Sequence, residues 1–291
     1  MSARRTVLYS VYGLLRSLGY FGLRDRIVPY ATVLTFHRVN DKEDKDGLSV
    51  HPRLFEELLD VLAREYRIVP LARVLEMMTT KSKPIPARTM SITFDDGYLD
   101  NFAVAAPILR QRNIPATFFV SSGYVGTMRK FPWDVSKSVS HPLMTWDQVR
   151  QLAAEGFEIG AHSVNHLNLG VCSPDVAEKE IIGSKRHIED QLGAAISGFA
   201  YPFGWKQSMN EVASLIVREA GFAYCCSNYG GKVTNQSDRF NIQRTGVYPT
   251  TTEMLMEIDN FMTHYDGLMR MHVFGVTVPV GSSGSHLEGR A

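Results

Sequence analysis

Cysteine is scarce in this chain: three in 291 residues, Cys172 and the adjacent pair Cys225 and Cys226. Neighbouring cysteines rarely bridge each other and an odd count makes a poor disulfide framework. A disulfide-stapled secreted scaffold is therefore excluded, and a reducing compartment is expected. A surplus of one charge is also missing, with 31 basic against 30 acidic side chains, so bulk electrostatics give no case for nucleic acid as a partner. No apolar run approaches the roughly 20 uninterrupted residues of a membrane-spanning helix. The opening stretch MSARRTVLYSVYGLLRSLGY has two arginines and then apolar residues, but no small-x-small cleavage site follows, and Arg16, Arg24 and Arg26 interrupt it. Residues 4–19 read as an amphipathic helix, either packed on the domain or lying on a membrane surface. The expected location is cytoplasmic, with peripheral membrane contact through this helix as the alternative.

Linkers rich in Pro, Gly or Ser are lacking too, and no internal repeat is visible. One domain is expected over residues 31–270, preceded by the helical segment 1–30 and followed by a flexible tail, 271–291, that ends GSSGSHLEGRA. What the chain does have is 44% hydrophobic residues, enough for a proper core. Strand-like runs recur at 31–36, 90–94, 115–120, 157–161, 197–201, 222–227 and 241–247. Helical patterns lie between most of them, at 53–65, 71–79, 99–112, 145–155, 174–191 and 208–220. That alternation predicts an α/β fold with parallel strands, either a barrel or a doubly wound sheet. Two stretches read as long surface loops: the charged run 40–49, and 126–142, whose Phe131 and Trp133 either anchor it to the core or flank a groove.

One short stretch carries chemistry. SITFDDG (91–97) runs a β-prone segment into two adjacent carboxylates and a glycine. Asp-Gly is a hairpin signal, yet Phe102, Ala106, Ile108 and Leu109 downstream suit a helix better than a second strand. Strand, carboxylate pair and helix together describe an active-site βα loop. A second cluster, GFEIGAHSVNHLNL, sets His162 and His166 four apart directly after a strand-like run, a spacing at which both imidazoles can face one side of a helical turn. With a carboxylate from another strand end they complete an Asp-His-His set, a three-ligand arrangement that leaves a position for water. No cysteine sits beside a convincing His and Asp set, so a thiol nucleophile is not expected, and Cys225 and Cys226 read as buried strand residues.

TFDDG, HSVNH and FAYPFG (199–204), each after a strand, together resemble the polysaccharide deacetylase family, the fourth family of carbohydrate esterases or NodB-homology domain. LMTWDQVRQLAAEGFEIGAH is similar to that family's helix leading into its histidine motif. The resemblance spans roughly 31–250. It implies a distorted (β/α) barrel of about seven strands with a divalent metal at its C-terminal mouth, and hydrolysis of the N-acetyl group of an amino sugar. By position it makes Asp95 the general base and Asp96, with His162 and His166, the metal ligands. Zinc is the first expectation for the ion, with Co²⁺, Ni²⁺ or Mn²⁺ as alternatives. Tyr201, Pro202, Phe203 and Trp205 become substrate-binding candidates: Trp205 could stack on a sugar face or pack over the loop, and backbone N–H groups near Tyr201 could support an oxyanion.

Three departures matter. The family's acid is usually a histidine in a Leu-x-His motif near the C-terminal end, where this chain has His272 in what reads as the end of a helix. His37 in VLTFHRV follows a strand directly and is similar to the YHRV signature of a permuted branch that includes exopolysaccharide deacetylases, so His37 is the expected acid. The arginine that orients the base is replaced by Ala200, and Arg244 is the candidate to reach Asp95 in its stead, with an ordinary surface salt bridge as the alternative. The Asp-Trp pairing that positions the acid is missing. The expected activity is metal-dependent N-deacetylation of a polysaccharide or lipid-linked precursor. A catalytically quiet carbohydrate-binding domain and a hydrolase of small non-sugar amides are the other readings.

Overall fold

Runs buried on both faces build the centre of the molecule, as expected of parallel strands covered by helices. The computed structural model describes residues 3–42, 47–80 and 82–261; His272 and the tail lie outside them. The strands are β1 (Ala31–Phe36), β2 (Arg38–Val39), β3 (Ser49–Val50), β4 (Arg67–Ile68), β5 (Thr89–Phe94), β6 (Thr117–Val120), β7 (Glu158–Ala161), β8 (Gly198–Ala200) and β9 (Tyr224–Cys226). All but β2 and β3 form one seven-stranded sheet in the order β1-β5-β6-β7-β8-β9, with β4 added to β5 at Thr89 and Met90. Every pairing is parallel.

The sheet curls until its two ends are joined by residues 242–245, where Ile242 bridges Cys226 of β9 and Thr245 bridges Leu34 of β1. The strand expected at 241–247 is thus two isolated bridges. The segment passes from one neighbour to the other, too briefly on either side to build a ladder. Residue parity sorts the interior: Met90, Ile92 and Phe94 of β5 join the cluster containing Phe55, Leu58 and Leu109 from the surrounding helices. Thr89, Ser91 and Thr93 alternate with them and point the other way, into the barrel. Ala31 and Val33 share that inner side with Phe119, Ala200, Tyr224 and Cys226.

The helices are α1 (Ala3–Ser17), α2 (Tyr20–Ile27), α3 (Pro52–Glu65), α4 (Leu71–Thr79), α5 (Ala106–Gln111), α6 (Pro132–Ser136), α7 (Trp146–Ala154), α8 (Pro174–Leu192), α9 (Glu211–Glu219) and α10 (Thr251–Ile258). The helical pattern at 99–112 opens as a π-helix, Asn101–Ala105, before α5. Such wide turns recur at functional sites, and here the Asn101 amide donates to the His37 carbonyl at 2.7 Å. The pattern at 208–220 starts later than expected because Asn210 caps α9, accepting from the Ala213 amide at 2.8 Å. The loop 126–142 contains α6 and buries Phe131 completely.

Helices α1 and α2 pack on the domain through Tyr12, Phe21 and Phe261, whose rings meet at 5.2–6.1 Å. Their fixing point is the buried carboxylate of Asp259, which accepts from Tyr12 at 2.7 Å, Arg16 at 2.5 Å and Tyr66. Leu14, Leu18, Leu23 and Ile27 remain exposed. Among the described residues, no helix is long and apolar enough to cross a membrane.

Candidate active site

Strand β5 delivers the carboxylate pair to the mouth of the barrel. Asp95 continues the inward parity of Ser91 and Thr93. Asp96 then takes a left-handed backbone, φ 77°, and Gly97 another, φ 90°. A non-glycine residue in that region costs of order 1–3 kcal/mol and persists only where its surroundings dictate it. The reversal lets adjacent carboxylates face different partners. Arg244, entering from the closing segment, grips Asp95 with both terminal nitrogens, each 2.7 Å from one carboxylate oxygen. The guanidinium is itself held by Thr93 Oγ1 at 3.1 Å and the Ser227 carbonyl at 3.0 Å. Burial alone would raise the Asp95 pKa, but the Arg244 charge and hydrogen bonds override it and hold the group down to about 2.

Asp96 is as deeply buried, yet neither of its oxygens has a hydrogen-bond partner. Burial and the neighbouring Asp95 charge push its pKa well above the usual carboxylate range. What faces it is imidazole: His162 Nε2 at 3.6 Å and His166 Nε2 at 3.4 Å from one oxygen. One atom from each of the three residues lies within 4.8 Å of the others, a spacing that can hold a metal ion. His162 Nδ1 is 2.8 Å from the Ala200 carbonyl, which fixes Nδ1 as the protonated nitrogen and leaves the Nε2 lone pair toward Asp96. Burial lowers the pKa of both histidines, keeping them neutral as ligands must be. A buried carboxylate lacking donors, opposed by two bare imidazole nitrogens, fits a divalent cation.

The two histidines do not share a helical turn. They come from the end of β7 and an irregular loop in which Ser163, φ 60°, and His166, φ 54°, are both left-handed. Ser163 Oγ accepts from the His166 amide at 2.9 Å, and the rings of Trp133 and Phe203 stand edge-on to His166 at 4.8 Å.

His37 reaches the same mouth because β1 and β5 run in register, Phe36 beside Phe94. Burial pushes its imidazole down to about 4, against the pull of Asp95, while Arg244 and His162 push the same way as burial. The structure therefore brings together His37, Asp95, Asp96, His162, His166 and Arg244. Tyr201 and Pro202 are buried, and the Tyr201 amide already donates to the Cys226 carbonyl at 3.0 Å, so it is spent within the barrel. Phe203 is half-buried, and Trp205 is 38% exposed beside it, ring centroids 5.8 Å apart.

Sequence reasoning missed a second buried ion pair. Arg38 and Asp134, both fully buried, meet at 3.0 Å. Tyr98 donates to the other Asp134 oxygen at 3.0 Å and accepts from the Trp133 indole at 2.9 Å. This network ties the residue after His37 to the residue two beyond Asp96. The only signal available was a charged pair flanking FPWD.

Residues 82–225 match the family model of polysaccharide deacetylases. The chain is 25% identical over 174 residues to the Bacillus subtilis protein YxkH, covering 60% of this chain and 56% of that one. It is 25% identical over 186 residues to a poly-beta-1,6-N-acetyl-D-glucosamine N-deacetylase of Staphylococcus aureus, covering 61% and 60%. It thus spans somewhat over half the length of these relatives. The structure of IcaB from Ammonifex degensii superposes with a TM-score of 0.67 at 23% identity, over 79% of this chain and 97% of that one, so the curled parallel half-barrel is shared. The chain carries a polysaccharide deacetylase domain in a NodB-like fold.

Proposed function

We propose that this protein is a metal-dependent hydrolase that removes N-acetyl groups from N-acetylhexosamine units of a polysaccharide or lipid-linked precursor. The observation that carries the reading is the unequal treatment of two neighbouring carboxylates: Asp95 is locked by Arg244, and Asp96 has no protein donor at all. The printed function of the Staphylococcus aureus relative supports the same substrate class.

Amide hydrolysis needs an activated water, a place for developing negative charge and a proton for the leaving nitrogen. Asp96, His162 and His166 would hold a divalent cation, zinc first, which supplies acidification of water, from 15.7 to about 7 in the best sites, and polarisation of the carbonyl. The Arg244 clamp uses one lone pair on each Asp95 oxygen and leaves the other, so Asp95 stays anionic, fixed and able to accept the water proton. As water adds to the carbonyl carbon and the C–N bond breaks, His37 on the facing strand end would protonate the departing amine. Acetate and a free amino sugar result. Trp205 and Phe203 offer an apolar surface for a pyranose face beside the metal ligands.

The test is acetate release from N-acetylated oligosaccharides with added Zn²⁺ or Co²⁺, run with metal analysis. Asp95→Asn should abolish release and keep the metal; Asp96→Ala should lose both. Oligosaccharide binding without acetate release from the wild type would replace the hydrolase reading with a recognition domain. An empty Asp95→Asn protein would overturn the division of roles.

A further inference from the structure

The loop from His162 to His166 holds an unusual shape. Its two left-handed residues, Ser163 and His166, bracket Val164 and Asn165, and a loop of that conformation needs outside support to persist. On one side the support is backbone: the Ser122 and Gly123 amides donate to the Ser163 and Val164 carbonyls at 3.1 and 2.9 Å. On the other side it is a single buried carboxylate. Glu180, on α8 and 5% exposed, accepts from the Asn165 amide at 2.7 Å with one oxygen and from the Asn165 side-chain nitrogen at 2.7 Å with the other. Arg129 closes the arrangement from outside, donating to Asn165 Oδ1 at 2.8 Å and to the Gly123 carbonyl at 2.9 Å. Asn165 is therefore held through its backbone and both ends of its amide, immediately before His166.

We infer that Glu180 is a positioning residue for His166, acting through Asn165 to present the imidazole to a metal shared with Asp96 and His162; the inference rests on the reading of those three residues as metal ligands. Glu180 touches neither a ligand nor the mouth of the barrel. Its two charge-assisted hydrogen bonds instead fix the backbone from which His166 projects, the part played at metal centres by outer partners whose loss typically weakens metal binding about 10- to 100-fold.

The experiment measures Zn²⁺ affinity of the full chain by competition with a chromophoric chelator, and the visible spectrum of the Co²⁺ form, at a temperature where far-ultraviolet circular dichroism shows each variant folded. Glu180→Gln should weaken Zn²⁺ binding about 10- to 100-fold and alter the Co²⁺ bands, with Glu180→Asp, which keeps the charge, lying between it and wild type. A Glu180→Gln protein with Zn²⁺ affinity within twofold of wild type and an unchanged Co²⁺ spectrum overturns the inference, whatever its melting temperature, because a purely structural carboxylate predicts that pattern. Should Glu180→Gln fail to fold, Asn165→Ala removes the loop side of the same contact and should show the same loss; unchanged affinity there overturns the inference equally. A wild-type chain that takes up neither ion defeats the metal-centre reading itself, a failure seen before any variant is compared.

Discussion

At the scale of single residues, the site divides labour by hydrogen bonding. Arg244→Ala would leave Asp95 buried with no counter-charge, and removing one partner of a buried pair costs about 3–5 kcal/mol. The expected outcome is a fall of that size in unfolding free energy by urea titration, together with loss of acetate release. Arg244→Lys should recover part of the stability but little turnover, since an ammonium cannot reproduce the two-nitrogen grip. His37 predicts a pH effect whose sign follows from its depressed pKa. Between its ordinary 6.5 and about 4 in the folded chain, the unfolded state takes up the proton and the native state does not. Native stability therefore drops as pH falls through that window, by on the order of 3 kcal/mol in total. Urea titrations of metal-free protein at pH 7 and pH 4.5 should show a smaller acid penalty in His37→Gln than in wild type; equal penalties would remove the group from this role.

At the scale of elements, most of the strands and helices were legible, because strands buried on both faces and helices with one apolar stripe write different periods into the chain. α4 spans Leu71–Thr79 and β1 Ala31–Phe36, as their patterns indicated. The metal ligands were legible for a related reason: each lies just past an apolar run, where a parallel barrel opens. The left-handed turn at Asp96 was not, since nothing local favours it in a non-glycine residue; tertiary contacts impose it. Nor could the Arg38–Asp134 pair be read, because its partners are 96 positions apart and Asp134 sits in a stretch that looked like surface loop. Packing inside the barrel makes a further prediction. A methyl group added at Gly160 of β7 would lie 2.4 Å from the Phe119 ring, so Gly160→Ala should cost about 1–3 kcal/mol through overpacking, measured as a shifted urea midpoint with an unchanged slope.

At the scale of the whole molecule, Asp259 is the bolt between the first two helices and the barrel. It gathers Tyr12 and Arg16 from α1 and Tyr66 from the approach to β4, while its backbone carbonyl accepts from Arg24 of α2 at 2.6 Å. All these contacts lie near the ends where β4 and β5 begin, away from the catalytic mouth. Asp259→Ala should lower thermal stability by several degrees, as expected for a buried ion-pair network losing its acceptor. Metal content and acetate release at 20 °C should be retained; loss of either would mean that the helices act on the mouth after all.

Arg244 reaches Asp95 from the seam at residues 242–245, where the two edges of the curled sheet meet. A chain emerging from the ribosome can possess Asp96, His162 and His166 long before it possesses that guanidinium. Hydrolytic competence is then the last property acquired during synthesis, and a nascent or nicked chain stopping short of the seam would carry its ion yet leave cellular sugars untouched.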